Sequence, residues 1–326
     1  MIPGEEDAPL FGESTSWEDA QAALEAAGLS DGLPLVVPTQ ARLDRMVAGQ
    51  HQPEEIGNPV PPLMGELTLA AVAYNGVLAG CVPAELPVVM AAVIAALAPD
   101  FNLLGIATTT GTPTVAVCVH GPVAAALGMN SGTNCLGPGN RANACIGRAV
   151  RLVQQNLGGA RPGIGDMATM GSPGKYGLCF AEGAHPLLPS LAMRRGVAAG
   201  RSAVTVFGVS GTLEVLPEGG ASTPEQVLRP LVAAMRGARE AASGGKMREP
   251  QEQVLLIPNE MSDVIAKGGW DLARAQEFLF AESGTDWPIA RAPSDILLVP
   301  TGGEGVKMTC LVPWGGGTMS VTRALH

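Results

Sequence analysis

Cys81 stands in the corner Gly80-Cys81-Val82-Pro83, between two apolar stretches that read as helices. A thiol near the start of the second helix would feel the positive end of its dipole, which favours the nucleophilic thiolate; a packed core thiol is the competing reading. His120 lies in wholly apolar sequence between Val119 and Gly121. There it could act as a general base or a thiol partner, or simply be satisfied inside the core. Lys175, followed by Tyr176 after a Ser-Pro-Gly turn, could act on a substrate carboxylate, with a surface lysine as the alternative. Glu182 and Asp166 are candidate proton carriers. Cys135 and Cys145 read as structural, although Arg141 and Arg148 would favour a thiolate at Cys145.

Around these residues the chain offers a glycine-rich stretch, GMNSGTNCLGPGNRANACIGRAVRL from Gly128 to Leu152. It reads as a loop to Asn140 that runs into a helix. Asn140 is a good N-cap, and Ala142, Ile146, Ala149 and Val153 make an apolar stripe at helical spacing. The opposite face carries Arg141, Cys145, Arg148 and Arg151. Free N–H groups and the dipole at such a junction suit a carboxylate, phosphate or oxyanion. The candidate substrate-binding set is therefore Asn134, Asn140, Arg141, Asn143 and Arg148, joined by Glu182 from the strand that ends a second glycine-rich loop, Gly158 to Glu182. Two long loops with polar groups beside one apolar core is the pattern of an active site.

The elements that must position these groups follow from pattern. The 326 residues are 46% hydrophobic, enough for a large core in one domain or two. A net charge of −10 argues against nucleic acid or an anionic membrane surface as partner. Helices are expected after Thr15, Thr39, Thr68, Pro83, Asn140 and Thr223, the first and last opened by capping boxes. Leu103 to Ala107, Thr114 to Val119, Ala203 to Val209, Val254 to Ile257, Ile296 to Val299, Val306 to Val312 and Met319 to Ala324 read as strands, and Asp31 to Thr39 as a strand or extended run. From Phe101 to Asn140 there is no Asp, Glu, Lys or Arg, so this stretch must be buried or line a cavity. Residues 1–13 read as a loose lead-in, and SGGKMREP, from Ser243, as an exposed connector. The expected fold is α/β, with mixed sheets and helices in two subdomains, 1–200 with the glycine-rich loop and 201–326, and glycine-rich loops over a central apolar core. The runs LVVP, LLIP and LLVP are too short to establish a repeat.

The start, MIPGEEDAPLFGE, has neither a basic nor an apolar signal region, and Leu67–Ala84 and Leu86–Pro99 read as core helices. A cytoplasmic protein with reduced cysteines is expected. Cys81, Cys135 and Cys145 match no cluster-ligand spacing, so an iron–sulfur centre is a minor alternative; no metal is expected. His51, His185 and His326 sit in polar or terminal context. P-loop, GxGxxG, GxSxG and HExxH motifs are absent from the sequence.

Several segments resemble one family in order and context: DGLPLVVPT, AGCVPAELPVVMAAV, FNLLGIATT, GPGNRANACIGRAVRLV, SPGKYGLCFAE and VTRAL. It is an uncharacterised bacterial family found beside, or fused to, UGSC-motif (seleno)proteins, whose UGSC segment is similar to the selenocysteine region of glycine and betaine reductase subunits. The resemblance implies reductive thiol or selenol chemistry on small molecules, with Cys81, Arg141, Asn143, Arg148, Lys175 and Glu182 at matching positions. Leu69-Ala70-Ala71-Val72 stands where the family carries a Glu-Lys pair, and the chain has no UGSC or CGSC motif, so a redox partner would be a separate protein.

The sequence thus leads to an enzyme using cysteine chemistry on a small carboxylate-bearing metabolite, either a reduction or the making or breaking of a C–S or C–N bond. Cys81 would be the nucleophile, with His120 or Lys175 moving protons. The alternatives are a non-redox lyase or dehydratase with the same anion pocket, and a non-catalytic partner subunit of a redox protein. A homo-oligomer is expected.

Overall fold

Strand β3 (Thr114–His120) is buried at every position, and its alternate residues serve two different cores. Val115, Val117 and Val119 face one layer, while Ala116 and Cys118 face another. That double burial is why β3 itself carries no Asp, Glu, Lys or Arg. Much of the rest of the uncharged stretch, from Gly121 to Asn140, is exposed or half-buried, contrary to the expectation that it be buried. The computed structural model describes residues 8–243, 249–284 and 287–325. The first residues of the expected lead-in, positions 244–248 of the expected connector, and His326 lie outside them.

In chain order the elements begin with α1 (Trp17–Ala26), α2 (Gln40–Val47), a two-stranded ladder of β1 (Pro59–Val60) and β2 (Gly65–Glu66), α3 (Leu69–Ala79), α4 (Leu86–Leu97) and α5 (Leu103–Thr108). After β3 come α6 (Pro122–Ala126), α7 (Arg141–Asn156), β4 (Leu178–Ala181), α8 (Leu191–Arg194) and β5 (Ala203–Val215). The chain closes with α9 (Pro224–Ser243), β6 (Gln253–Ile257), α10 (Asn259–Lys267), α11 (Leu272–Ser283), β7 (Ile296–Pro300), β8 (Met308–Pro313) and β9 (Val321–Ala324). The fold is α/β, and its main sheet has seven strands, ordered β4-β3-β5-β8-β6-β7 with β9 also on β5.

The order is symmetric about the β5–β8 pair. On one side β3 pairs parallel with β4 and antiparallel with β5; on the other, β6 pairs parallel with β7 and antiparallel with β8. Each parallel pair is joined through helices, α6 and α7 in one half, α10 and α11 in the other. Residue 200, the boundary expected from the sequence, falls just before β5, the strand that carries the sheet from one half to the other. A register shift between Val209 and Gly211 breaks β5 into a part that pairs with β3 and a part that pairs with β8. The sheet folds over there, so the inner faces of both halves meet in one core that includes Cys118, Phe180, Phe207, Leu256, Val299 and Leu311. The outer faces are covered separately, by α3, α4 and α7 in one half and by α9, α10 and α11 in the other.

Local signals explain most of the helices. Thr68 caps α3 and accepts from Ala71 N–H, and Gly80, at φ 86, closes it in the left-handed conformation. Thr223 and Gln226 exchange side-chain and backbone bonds to open α9. The α1 cap is Ser16, one residue later than expected. Leu103 to Ala107 is not a strand. Asn102 accepts from Gly105 N–H and starts α5, which buries Leu103, Ile106 and Ala107 at i, i+3 and i+4. Asp31 to Thr39 is extended without joining a sheet, its backbone held instead by Leu78 and the Gln21 side chain.

Among the described residues no single helix is long and apolar enough to cross a membrane. A bent pair, Pro83–Leu97 with Pro99–Thr108, has the length and composition. Its first helix is buried between α3, α7 and the sheet.

Candidate functional site

The carboxyl ends of β3, β4 and β7 converge where the sheet closes on itself. Gly183 N–H donates to Pro300 O at 2.6 Å, and Thr301 Oγ1 donates to Ala181 O at 3.0 Å. Strand ends of this kind, with helices packed behind, are where α/β sheets gather their polar side chains.

His120 is the last residue of β3 and is fully buried. Its Nδ1 lies 2.6 Å from Glu182 Oε2, and its Nε2 lies 2.7 Å from Thr205 Oγ1. Thr205 in turn meets Thr322 Oγ1 at 2.8 Å, across the β5–β9 register. Glu182 also accepts from the Ser190 hydroxyl at 2.6 Å and from Leu191 N–H at 2.8 Å. Burial alone would raise the Glu182 pKa, but the bonds from His120, Ser190 and Leu191 outweigh it and hold the carboxyl below its ordinary value. Because Glu182 is ionised, Nδ1 carries the proton that faces it, and Nε2 lies at hydrogen-bond distance from the Thr205 hydroxyl. The chain from Glu182 to Thr322 is a continuous relay from a buried carboxylate to a half-buried hydroxyl.

Arg194 stands beside this relay. Its Nη2 donates to Leu298 O at 2.6 Å, while its Nε is buried without a partner. Burial lowers its pKa, opposed by the charge of Glu182. Thr205, Thr322, Ser190 and Arg194 were not legible as site residues. The available signal was a threonine, Thr205, within the otherwise apolar start of β5.

The glycine-rich loop forms a roof over the same region, and its asparagines bind the protein itself. Asn143 accepts from Asn130 N–H and donates to the carbonyls of Asn130 and Cys135. Asn140 caps α7 by accepting from Asn143 N–H, and donates to Gly128 O. Asn134, at φ 60, donates to Pro138 O. The cap contributes about 1 kcal/mol to helix stability, and the α7 N-terminus spends on it a donor that an anion would need. Buried Cys135 lies 3.6 Å from Thr301 Oγ1.

The remaining expected residues lie on the outer side of α7. Arg141 forks onto Glu85, with contacts of 2.6 and 3.1 Å, and also donates to Gly80 O. Arg148 forks onto Asp31 at 2.8 Å through two nitrogens and so ties down the extended segment. Lys175 bonds both oxygens of Asp166 at 2.7 Å, and Arg151 reaches Asp166 at 3.0 Å, locking the second glycine-rich loop. Gly147 permits this loop to end close by, since a side chain there would press on the backbone of Gly177 and Leu178. The three arginines of the face opposite the apolar stripe are thus all held in ion pairs.

Cys81 does not present a thiolate. It is buried, and desolvation together with the nearby Glu85 charge pushes its thiol well above the ordinary range. A 3-10 turn, Pro83–Glu85, separates it from α4, and Glu85 takes the Val82 N–H. Cys145 is the half-buried member of the six; burial and Glu85 raise its pKa, against the opposing guanidinium groups of Arg141 and Arg148. Among the described residues no three His, Cys, Asp or Glu side chains gather in a way that could hold a metal ion.

Comparison with known protein families and with curated protein sequences finds no match to this chain.

Proposed function

We propose that the chain is an enzyme of the non-redox lyase or dehydratase class, acting on a small carboxylate-bearing metabolite. The observation that carries this reading is the His120 ring, held between an ionised Glu182 and the hydroxyl pair Thr205–Thr322. An imidazole oriented by a carboxylate on one nitrogen is suited to taking and returning a proton on the other. The relay takes a proton from the carbon beside the substrate carboxylate and returns it to the group that departs from the next carbon. Arg194, whose charge acts on Glu182, is the cation that would meet the carboxylate.

The test compares the purified protein with His120→Asn in metabolite extracts followed by untargeted mass spectrometry. Asparagine keeps a donor for Glu182 and loses the contact with Thr205. A metabolite consumed by the wild type and spared by a folded His120→Asn variant supports the reading. Equal consumption by both overturns it.

A second reading keeps the thiol chemistry implied by the resemblance to the (seleno)protein-associated family. What favours it is the half-buried Cys145 thiol against Arg141. In that case the reactive cysteine is Cys145 in place of Cys81, and Cys145→Ser, not His120→Asn, abolishes turnover.

A further inference from the structure

Strand β9 lies at a margin of the main sheet. It pairs antiparallel with β5 and, among the described residues, with no other strand. Leu325 N–H donates to Ser202 O at 2.8 Å, so the odd-numbered residues of this segment turn their backbone groups towards β5. The even-numbered residues turn theirs the other way, and Ser320 N–H accordingly donates to Glu252 Oε2 at 2.6 Å. Thr322 and Ala324 follow on that same side. Their N–H and C=O groups point out of the sheet and meet no partner among the described residues.

Proteins blunt such edges with a free charge, a proline or a bulge. β9 has no proline, and its register with β5 is unbroken. Its one charged side chain, Arg323, is paired with Glu55 at 2.5 Å. The strand also borders a cavity of about 230 Å³ floored by Leu86, Met90, Ala91 and Ile94 of α4, with exposed Pro87 beside them. Helix α4 has no polar side chain, so open backbone and apolar ground lie side by side.

We infer that this edge is the contact between two copies of the chain, with β9 pairing antiparallel to β9 of the second copy across a two-fold axis. With Arg323 on the axis, Thr322 of each copy faces Ala324 of the other, and every outward group of both strands is satisfied at once. Four hydrogen bonds are too few to hold a loose peptide, which also loses its freedom on binding. A folded copy brings its strand already extended and covers the apolar ground beside it. Charge agrees: with a net charge of −10 most faces of the chain repel their own copy, whereas here Arg323 and Glu55 of each copy bring together two cations and two anions. The pairing uses backbone groups and leaves the Thr322 hydroxyl on Thr205.

Sedimentation velocity on the full chain at micromolar concentration should show a dimer. Ala324→Pro removes one outward N–H without touching the bonds to β5, and an edge tolerates proline with that side free. By symmetry it deletes two hydrogen bonds, so the dimer should weaken about thirtyfold while each copy stays folded. Arg323→Cys sets two thiols opposite each other in a non-hydrogen-bonded pair, about 4.5 Å apart at Cα and within disulfide reach. Oxidised glutathione should link that variant into a covalent dimer through residue 323. Val321→Cys, whose two thiols would stand on opposite sides of the axis, should stay unlinked. A monomeric wild type overturns the inference, as does a dimer that Ala324→Pro leaves intact or that links through Val321→Cys. A monomer that captures a synthetic peptide of the β9 sequence would make the edge a peptide site and overturn the second copy as its occupant.

Discussion

Glu182 and Thr301 occupy equivalent positions in the two halves of the sheet. Glu182 N–H donates to Val119 O at 2.9 Å, and Thr301 N–H donates to Ile257 O at 3.1 Å, each closing a parallel pair one residue beyond its strand. The residue that follows each acceptor is His120 in the first half and Pro258 in the second. One half therefore carries an ionisable pair at its strand ends, and the other a hydroxyl and a proline. Thr301 reaches across to Ala181 O and to the Ser131 carbonyl of the loop, so the second half acts as a clamp on the first.

Glu182→Gln should test that pair as a source of stability. The carboxylate is 2% exposed and accepts from three groups, so neutralising it weakens bonds to His120, Ser190 and Leu191. Breaking a buried pair of this kind costs about 3–5 kcal/mol. Because the folded state holds the Glu182 pKa below its ordinary value, its contribution is present above the unfolded carboxyl range and is lost as pH falls through the folded value. Urea unfolding between pH 7 and pH 3 should show the wild type losing stability on acidification more steeply than Glu182→Gln. Parallel curves would remove the pair from the acid response.

Cys145 is expected to react first with iodoacetamide in native protein. It is half-buried beside two guanidinium groups that oppose the rise burial imposes on its pKa, whereas Cys81, Cys118 and Cys179 are buried, with raised pKa values and little access from solvent. Peptide mapping after brief labelling should place the modification on Cys145, with the others labelled once urea unfolds the chain. Labelling of Cys81 ahead of Cys145 would contradict the burial of Cys81.

The helix caps and the fully apolar strands were legible because their causes are local. Thr68, Asn140, Thr223 and the run Val115 to Val119 act through neighbours in sequence. α5 was misread as a strand, since Leu103 to Ala107 is short and apolar and its helical start depends on the single residue Asn102. The pairings of Arg141, Arg148 and Lys175 were hidden for a different reason. A cation near a glycine-rich loop looks like a ligand contact until its acid is found; Glu85 and Asp31 lie 56 and 117 residues away in sequence, while Asp166, nine residues before Lys175, was itself read as a proton carrier. His120 and Glu182 were legible as candidates, but Thr205 and Thr322 join them only through strand register.

Alkaline unfolding should begin early for a protein of this composition. Desolvation raises the thiol pKa of Cys81, Cys118 and Cys179 and pushes Cys310 up to about 12. Such groups stay protonated when folded but ionise when unfolded, so stability is present below the unfolded thiol range, near pH 8.5, and falls above it. Each thiol adds a slope of about 1.4 kcal/mol per pH unit in that window. Replacing Cys310 with alanine should flatten the dependence between pH 8.5 and 10.5, even if it lowers stability at pH 7. An unchanged slope would show that this thiol ionises alike in both states.

Arg141 decides between a ligand contact and a structural tie. Its guanidinium is 52% exposed, but the Glu85 carboxylate it forks onto is fully buried. Arg141→Ala leaves that carboxylate bonded to the Val82 N–H, and Gly80 O loses its contact with the guanidinium. With the exposed side of the pair screened by water, the loss should be about 1–3 kcal/mol. Arg141→Lys should lose about half as much, since it keeps the charge without the fork. Glu85→Gln should lower stability as well, and the double variant should fall short of the sum by about 1 kcal/mol, the signature of two groups in contact. An anion site at Arg141 would behave differently: acetate or phosphate would raise the wild-type melting temperature but not that of Arg141→Ala, and the variant without added anion would melt with the wild type. Chemical denaturation of the four proteins, with and without phosphate at constant ionic strength, separates the two outcomes. An additive double variant together with phosphate-dependent stabilisation would return Arg141 to the surface as a binding residue.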